Sequence, residues 1–265
     1  MNIEVVTHPA KEPTNRPALL FVHGVCHGAW CWEEFYMPFF AEQGWDCYAL
    51  SLRGHCGSDG RENLDSFGLD DYVADVLQVI EQEGIHPIVV GHSMGGGITQ
   101  LLMTRHPEKI AAAVLLASMP SGGLTLIEML GVLKYPLGII ALIKLLMGRG
   151  ITPKEAMRLS FVSNRVTQNQ AIKYAALLQP ESRRALHEIA NLSVPAGKVD
   201  VPLFVIGSSQ DIIFRQPAVL RTAAHFGTEA VVLDKGCHNL MDDFDWRESA
   251  GHIQRWLSEQ IQAAE

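Results

Sequence analysis

The stretch Ile88-Val89-Val90-Gly91-His92-Ser93-Met94-Gly95-Gly96-Gly97 decides how this chain is read. An unbroken apolar run, residues 88–90, leads into Gly-His-Ser-Met-Gly, and residues 96–103 beyond it read as a helix. The order is therefore strand, sharp turn with serine at its tip, helix. In this arrangement, a nucleophile elbow, the serine sits in a strained turn that tolerates only small flanking residues, because the incoming strand and outgoing helix pass within contact distance. Gly91 and Gly95 supply that smallness, and Gly96 and Gly97 add to it. The turn lifts the Ser93 hydroxyl above the sheet edge and sets the Met94 amide at a helix start, where negative charge is favoured. Ser93 is the candidate nucleophile. The five letters alone are a weak pattern; their place between a strand and a helix gives them weight.

With 265 residues, 48% of them hydrophobic and 19% charged, the chain suffices for one large core or a core with a subdomain. A net charge of -8 argues against a nucleic-acid partner, which calls for a basic face to neutralise phosphates. The N-terminus lacks the positive segment and long apolar run of a secretory signal, so a cytoplasmic location is expected. The cysteines, Cys26, Cys31, Cys47, Cys56 and Cys237, form no Cys-x-x-Cys pair and suggest neither a disulfide framework nor a zinc site. They read as reduced, mostly buried thiols.

Residues 3–7 alternate weakly and read as a strand, and short apolar runs at residues 18–22, 47–50, 88–90, 113–117, 203–206 and 230–233 read as six more. Helical spacing falls between or after them, at residues 32–43, 70–83 and 246–261. Unbroken apolar strands alternating with helices predict an α/β doubly wound fold, with a mostly parallel sheet covered on both faces. Residues 120–199 break the rhythm, being far more chain than one crossover helix needs. They are expected to form a helical cap inserted into a core domain of residues 1–119 and 200–265. Residues 124–147 are strongly apolar, but Glu128, Lys134 and Lys144 interrupt them and Pro136 and Gly138 break them near the middle, so no transmembrane segment is expected. The cap reads equally as a second small core and as an apolar lid over an acyl pocket.

A serine hydroxyl is a poor nucleophile until a base takes its proton, and the base needs an orienting carboxylate. In the chain order Ser, Asp, His, Asp211 follows one strand and His238 the next, both opening on the carboxyl edge where ligands of such folds bind. Asp234, Asp242 and Asp243 are rivals to Asp211. Of the 11 histidines, His238 alone has this strand-end position after the elbow, while His92, inside the turn, is expected to support it. Acyl transfer also needs two donors aimed at the developing oxyanion. The Met94 amide is the first candidate. The second is the Val25 amide, in the loop His23-Gly24-Val25, where Gly24 lets the backbone curl close to the serine.

These segments, with Leu52-Arg53-Gly54-His55-Cys56-Gly57-Ser58, resemble in order and over nearly the whole length a serine hydrolase of the α/β-hydrolase superfamily. Residues 23–30 and 115–120 are also similar to the branch holding plant methyl esterases and hydroxynitrile lyases. Hydroxynitrile lyases of that type carry threonine and lysine where this chain has Gly24 and Asn239, so the resemblance implies an esterase rather than a lyase. Dehalogenases and epoxide hydrolases of the superfamily use aspartate where Ser93 stands. Cys56 departs from a common glycine, and packing is the expected reason. The implied activity is hydrolysis of a carboxylic ester with an apolar part through an acyl-enzyme, with no metal or organic cofactor and a small-molecule ester as the partner. Lys134, Lys144 and Arg149 offer an alternative, holding the acidic head group of a lysophospholipid. Other readings on the same residues are a ligand receptor on a hydrolase fold and a cofactor-free C-C hydrolase or oxygenase. Oligomeric state, monomer or homodimer, stays open.

Overall fold

In the computed structural model, which describes the chain except for residues 13, 126–133, 147–148, 159–160, 162 and 265, the described residues form one sheet of seven strands. These are β1 (Val5–His8), β2 (Leu19–Val22), β3 (Cys47–Leu50), β4 (Ile88–His92), β5 (Ala112–Leu116), β6 (Leu203–Ser208) and β7 (Ala230–Leu233). Their order is β1-β3-β2-β4-β5-β6-β7, with β1 antiparallel to β3 and every other neighbouring pair parallel. The chain runs outward from β2 to β3 on one side and then returns to place β4 on the other. The carboxyl ends of β2 and β4 flank that switch point, where an open α/β sheet leaves a crevice.

The apolar runs are unbroken because alternate side chains feed two different cores. Leu20, Val22, Val89, Ala113 and Leu115 enter one, and Leu19, Phe21, Val90, Val114 and Leu116 enter the other. On the first face lie α3 (Leu69–Glu83), α4 (Met94–Arg105), α8 (Arg183–Ala190) and α9 (Gln216–His225); on the second lie α1 (Trp30–Glu33), α2 (Tyr36–Glu42) and α10 (Trp246–Ala264). Each large side chain buried this way stabilises the fold by about 1.5–3 kcal/mol relative to exposure. Helix α3 shows the local logic: Tyr72, Val73, Val76, Val79 and Ile80 form its buried stripe, and Asp71 Oδ2 accepts the Gly68 N–H at 2.9 Å. Gly84, at φ +62°, ends it.

Two helical expectations change. Residues 32–43 hold two helices, α1 and α2, because Pro38 has no N–H to bond back to residue 34 and its ring crowds that carbonyl. Pro136 opens a helix, α5 (Pro136–Leu146), instead of breaking one, since a proline at the first helical position loses no hydrogen bond. Residues 126–133, the earlier part of that apolar stretch, lie outside the described residues. Helices α6 (Pro153–Arg158) and α7 (Gln168–Leu177) follow, and with α5 they share a third apolar cluster. Helix α8 does not belong to that cluster: Ala185 and Ile189 pack in the main core beside α3.

All five cysteines are free; Cys26, Cys31 and Cys47 are buried, whereas Cys56 is exposed. Cys56 has φ +47°, the left-handed region that accounts for glycine being frequent there. Its Sγ also fills the space beside Gly28, where a Cβ would fall 2.1 Å from the sulfur.

The elbow is built with no clearance. Ser93 has φ +54° and ψ -117°. A Cβ on Gly91 would lie 2.4 Å from the Gly95 carbonyl oxygen, and one on Gly95 only 2.3 Å from that of Val22. Because both obstacles are backbone, Gly95→Ala is expected to destabilise the protein by about 3 kcal/mol. Gly84→Ala, in open space at φ +62°, should lose only about 1 kcal/mol. Urea unfolding of both variants measures the difference, and equal losses would contradict the close fit of the elbow.

Candidate active site

Ser93 follows β4 directly, Asp211 lies just past β6, and His238 lies past β7, so parallel strands deliver all three to one edge of the sheet. His238 Nε2 is 2.9 Å from Ser93 Oγ, and His238 Nδ1 is 2.8 Å from Asp211 Oδ2. An ionised carboxylate only accepts, so Nδ1 carries the proton and Nε2 is left to accept the Ser93 O–H. The other carboxylate oxygen, Asp211 Oδ1, accepts the Ile213 and Phe214 amides at 2.7 and 3.1 Å, which fixes its plane. Ser208 joins the two loops: its hydroxyl lies 2.8 Å from the Gly236 carbonyl and accepts the Gln210 N–H at 3.0 Å. All three side chains are buried.

The rival acids are engaged or placed elsewhere. Asp243 accepts the Cys237 and Phe244 amides at 2.5 and 2.7 Å, and Asp234 is exposed. Asp242 is fully buried, and burial raises its pKa well above the carboxylate range.

The loop after β2 comes up against the elbow. A Cβ on Gly24 would lie 2.8 Å from Ser93 Cβ and 2.9 Å from His92 Nδ1, so the loop as it lies here leaves no room for a side chain at 24. Among the described residues the Val25 and Met94 amides donate to no protein acceptor. The next peptide is held at both ends. His27 Nδ1 donates to the Val25 carbonyl at 2.7 Å, and the Cys26 N–H donates to Glu181 Oε2 at 3.2 Å. Asn239, beside His238, donates to His27 Nε2 at 2.7 Å.

His23 also has both ring nitrogens engaged, Nδ1 donating to the Gly24 carbonyl at 2.8 Å and Nε2 accepting the Leu52 amide at 3.0 Å. Burial, with His55 nearby, pushes its pKa down to about 3. Burial likewise lowers His27 to about 4 and His92 well below its ordinary value, with His238 contributing to both. His92 sits behind this edge of the sheet, its Nε2 donating to the His238 carbonyl at 3.0 Å. That contact supports the histidine loop as well as the serine turn.

Residues outside the motifs complete the surroundings. Glu181 and Gln179 carried no signal in the sequence, and the segment 52–58 gave no sign that His55 would meet them, because what joins the three is a return of the chain from α7 past the β2 and β3 loops. Burial works against the Glu181 charge, but His55 at 3.2 Å and two further hydrogen bonds hold its carboxyl below the usual range. Of the basic residues of the insert, Lys144 is spent on Glu155, with both carboxylate oxygens at 2.8 Å, and Lys134 and Arg149 are exposed. Among the described residues no helix is long and apolar enough to cross a membrane.

A family model described as the alpha/beta hydrolase fold matches residues 17–139. Salicylic acid-binding protein 2 of Nicotiana tabacum is 37% identical over 101 residues, covering 37% of this chain and 38% of that protein. The probable esterase PIR7A of Oryza sativa subsp. indica is 38% identical over 108 residues, covering 39% and 40%. The chain thus spans about two fifths of the length of these curated relatives. Likeness of structure runs further: a putative non-heme bromoperoxidase, BpoC, from Mycobacterium tuberculosis superposes with a TM-score of 0.69 at 19% identity, over 100% of this chain and 97% of the other. With a sheet in this order, a serine elbow after β4 and these likenesses, the chain has the α/β-hydrolase fold.

Proposed function

We propose that this protein hydrolyses a carboxylic ester through an acyl-enzyme on Ser93. The observation that carries the reading is the unbroken relay from Ser93 Oγ through His238 to Asp211, at 2.9 and 2.8 Å. Ser93 Oγ attacks the ester carbonyl as His238 Nε2 takes its proton. The carbonyl oxygen becomes an oxyanion, and the Val25 and Met94 amides, unspent on other acceptors, donate to it. The intermediate collapses with the C–O bond breaking, and His238 returns the proton to the departing alcohol. Water, deprotonated by His238, then attacks the acyl carbon, and the acid leaves as Ser93 regains its proton. Throughout, Asp211 holds the imidazole and balances its transient positive charge.

The uncharged state of His27 and His92 serves this cycle, since a second cation beside His238 would oppose its protonation. For the substrate, the third cluster supports an apolar group. Ala141, Leu145, Ile151, Phe161 and Tyr174 pack together with Cys26, and Val25 and Ile213 lie against them. In our reading the residues of this cluster from α5 to α7 form the cap, seated on Val25, Cys26 and Ile213 of the core, and the main-core packing of Ala185 and Ile189 puts the end of its working part before α8. That the rice relative bears the name of a probable esterase agrees with this chemistry.

The test is intact-mass labelling with a fluorophosphonate, alongside turnover of nitrophenyl esters of increasing chain length. Wild type is expected to take up one adduct and to show an optimum chain length. Ser93→Ala should lose the adduct and at least about a thousandfold in kcat, with its fold unchanged by circular dichroism. No adduct and no hydrolysis in the wild type would leave a binding protein in place of an enzyme.

A second expectation concerns acid. Unfolded histidines titrate near the ordinary 6.5, whereas His23 and His27 in the fold hold out to about 3 and 4 and His92 is well below 6.5. Below pH 6.5 the unfolded chain therefore binds more protons, and stability must fall as pH falls from 6.5 toward 4. At pH 5 each of the three rings takes up about one proton on unfolding, an uptake reduced by Asp242, whose raised carboxyl holds a proton in the fold and sheds it in the unfolded chain. Urea midpoints across this range measure the slope; a flat profile would mean that these rings are charged in the fold.

A further inference from the structure

The chain leaves α7 and enters α8 through residues 178–182, and this short return lies along the loop that carries the Val25 amide. Residue 26 is gripped from both sides. Its N–H donates to Glu181 Oε2 at 3.2 Å, and its carbonyl accepts the Gln179 N–H at 3.0 Å. The Gln179 side chain donates to the next carbonyl, that of His27, also at 3.0 Å. Cys26 needs such a grip because it has φ +65°, a conformation that disfavours any residue with a side chain and relaxes unless its surroundings impose it.

Glu181 is itself immobile. Oε1 accepts the Tyr72 hydroxyl of α3 at 2.7 Å and the Ser182 amide at 2.8 Å, while His55 Nε2 stands 3.2 Å from Oε2. Both side chains of the Glu181–His55 pair are wholly shielded from solvent. A buried ion pair is weak evidence of stabilisation, because desolvation offsets the attraction. What this pair does achieve is direction: one oxygen is tied to the core helix and the other is aimed at the backbone one residue after Val25.

We propose that Glu181 is a positioning residue for the oxyanion donor at Val25: its carboxylate, anchored on α3 and His55, pins the Cys26 amide and so sets the direction of the Val25 N–H. The role rests on the reading of Ser93 as the acyl-accepting nucleophile. It assigns a function to the end of the insert distinct from lining a pocket, because an oxyanion donor acts on the transition state and not on ground-state binding.

The experiment compares wild type, Glu181→Gln and Tyr72→Phe on one nitrophenyl ester, with active sites counted by fluorophosphonate mass labelling. The affinity of an alkyl boronic acid, which adds to the serine and places a tetrahedral oxygen in the oxyanion position, is measured on each. Glu181→Gln should lower kcat per labelled site about tenfold and weaken the boronate by a similar factor, with KM unchanged. Tyr72→Phe, which loosens the carboxylate from Oε1 alone, should shift the same two quantities about threefold. A purely structural Glu181 would reduce the labelled fraction or the melting temperature and leave kcat per labelled site and boronate affinity at wild-type values, which overturns the proposal. If Glu181→Gln does not fold, Tyr72→Phe decides by the same two quantities. Wild-type labelling that disappears in Ser93→Ala is run in parallel, so that failure of the hydrolase reading, which takes this role down with it, registers separately from failure of Glu181 alone.

Discussion

The backbone conformation of Ser93 is the constraint on which the rest of the site depends. Left-handed φ is unfavourable for serine, by about 1–2 kcal/mol, and nothing local to the residue compensates. The conformation persists because β4 and α4 are each fixed by separate packing, one in the middle of the sheet and the other against α3. Glycine at 91 and 95 then removes every side chain that would keep the two apart. The turn is thus imposed from outside, by sheet and helix together, and it exposes the hydroxyl and the following amide in a fixed relation.

Much of this is legible in the sequence alone. The inner strands could be located because a strand buried on both faces is apolar at consecutive positions, and the sheet here divides them between two cores, whereas β1, half-buried at the antiparallel edge, shows only a weak alternation. Ser93 and His238 were identifiable because each lies at the end of such a strand. Asp211 could be named only by order and position; the two backbone amides that hold it depend on the path of residues 211–214, which no periodicity encodes. Glu181 was invisible for a different reason. It sits between two helices in a stretch of mixed composition, and its partners, Cys26, His55 and Tyr72, lie more than a hundred residues earlier.

Charge is handled in the site by exclusion as much as by pairing. His23, His27 and His92 are kept neutral by burial, while His55, in the same neighbourhood, faces a carboxylate and is raised instead. Four rings of one chemical type therefore differ in protonation according to whether an acid lies within reach. The hydrogen-bond pattern is consistent with this, for both nitrogens of His23 and His27 are occupied in a way that needs one proton each. Such rings act as rigid amide-like spacers, fixing carbonyl and amide directions without adding charge beside His238.

The fit of Cys56 against Gly28 has a consequence for how this sequence can vary. The sulfur occupies the volume that a side chain at 28 would need, and the residue that carries it sits in a left-handed conformation that glycine adopts more readily. Glycine at 56 would relieve the backbone but open a void next to 28; a small side chain at 28 is tolerable only after that change. The two positions are therefore coupled, and the order of replacement matters: 56 must shrink before 28 can grow. Even then a methyl group at 28 would press on Ser51 Oγ and Trp30 Cδ1, each 3.2 Å away, so the freedom that glycine at 56 would open is a narrow one.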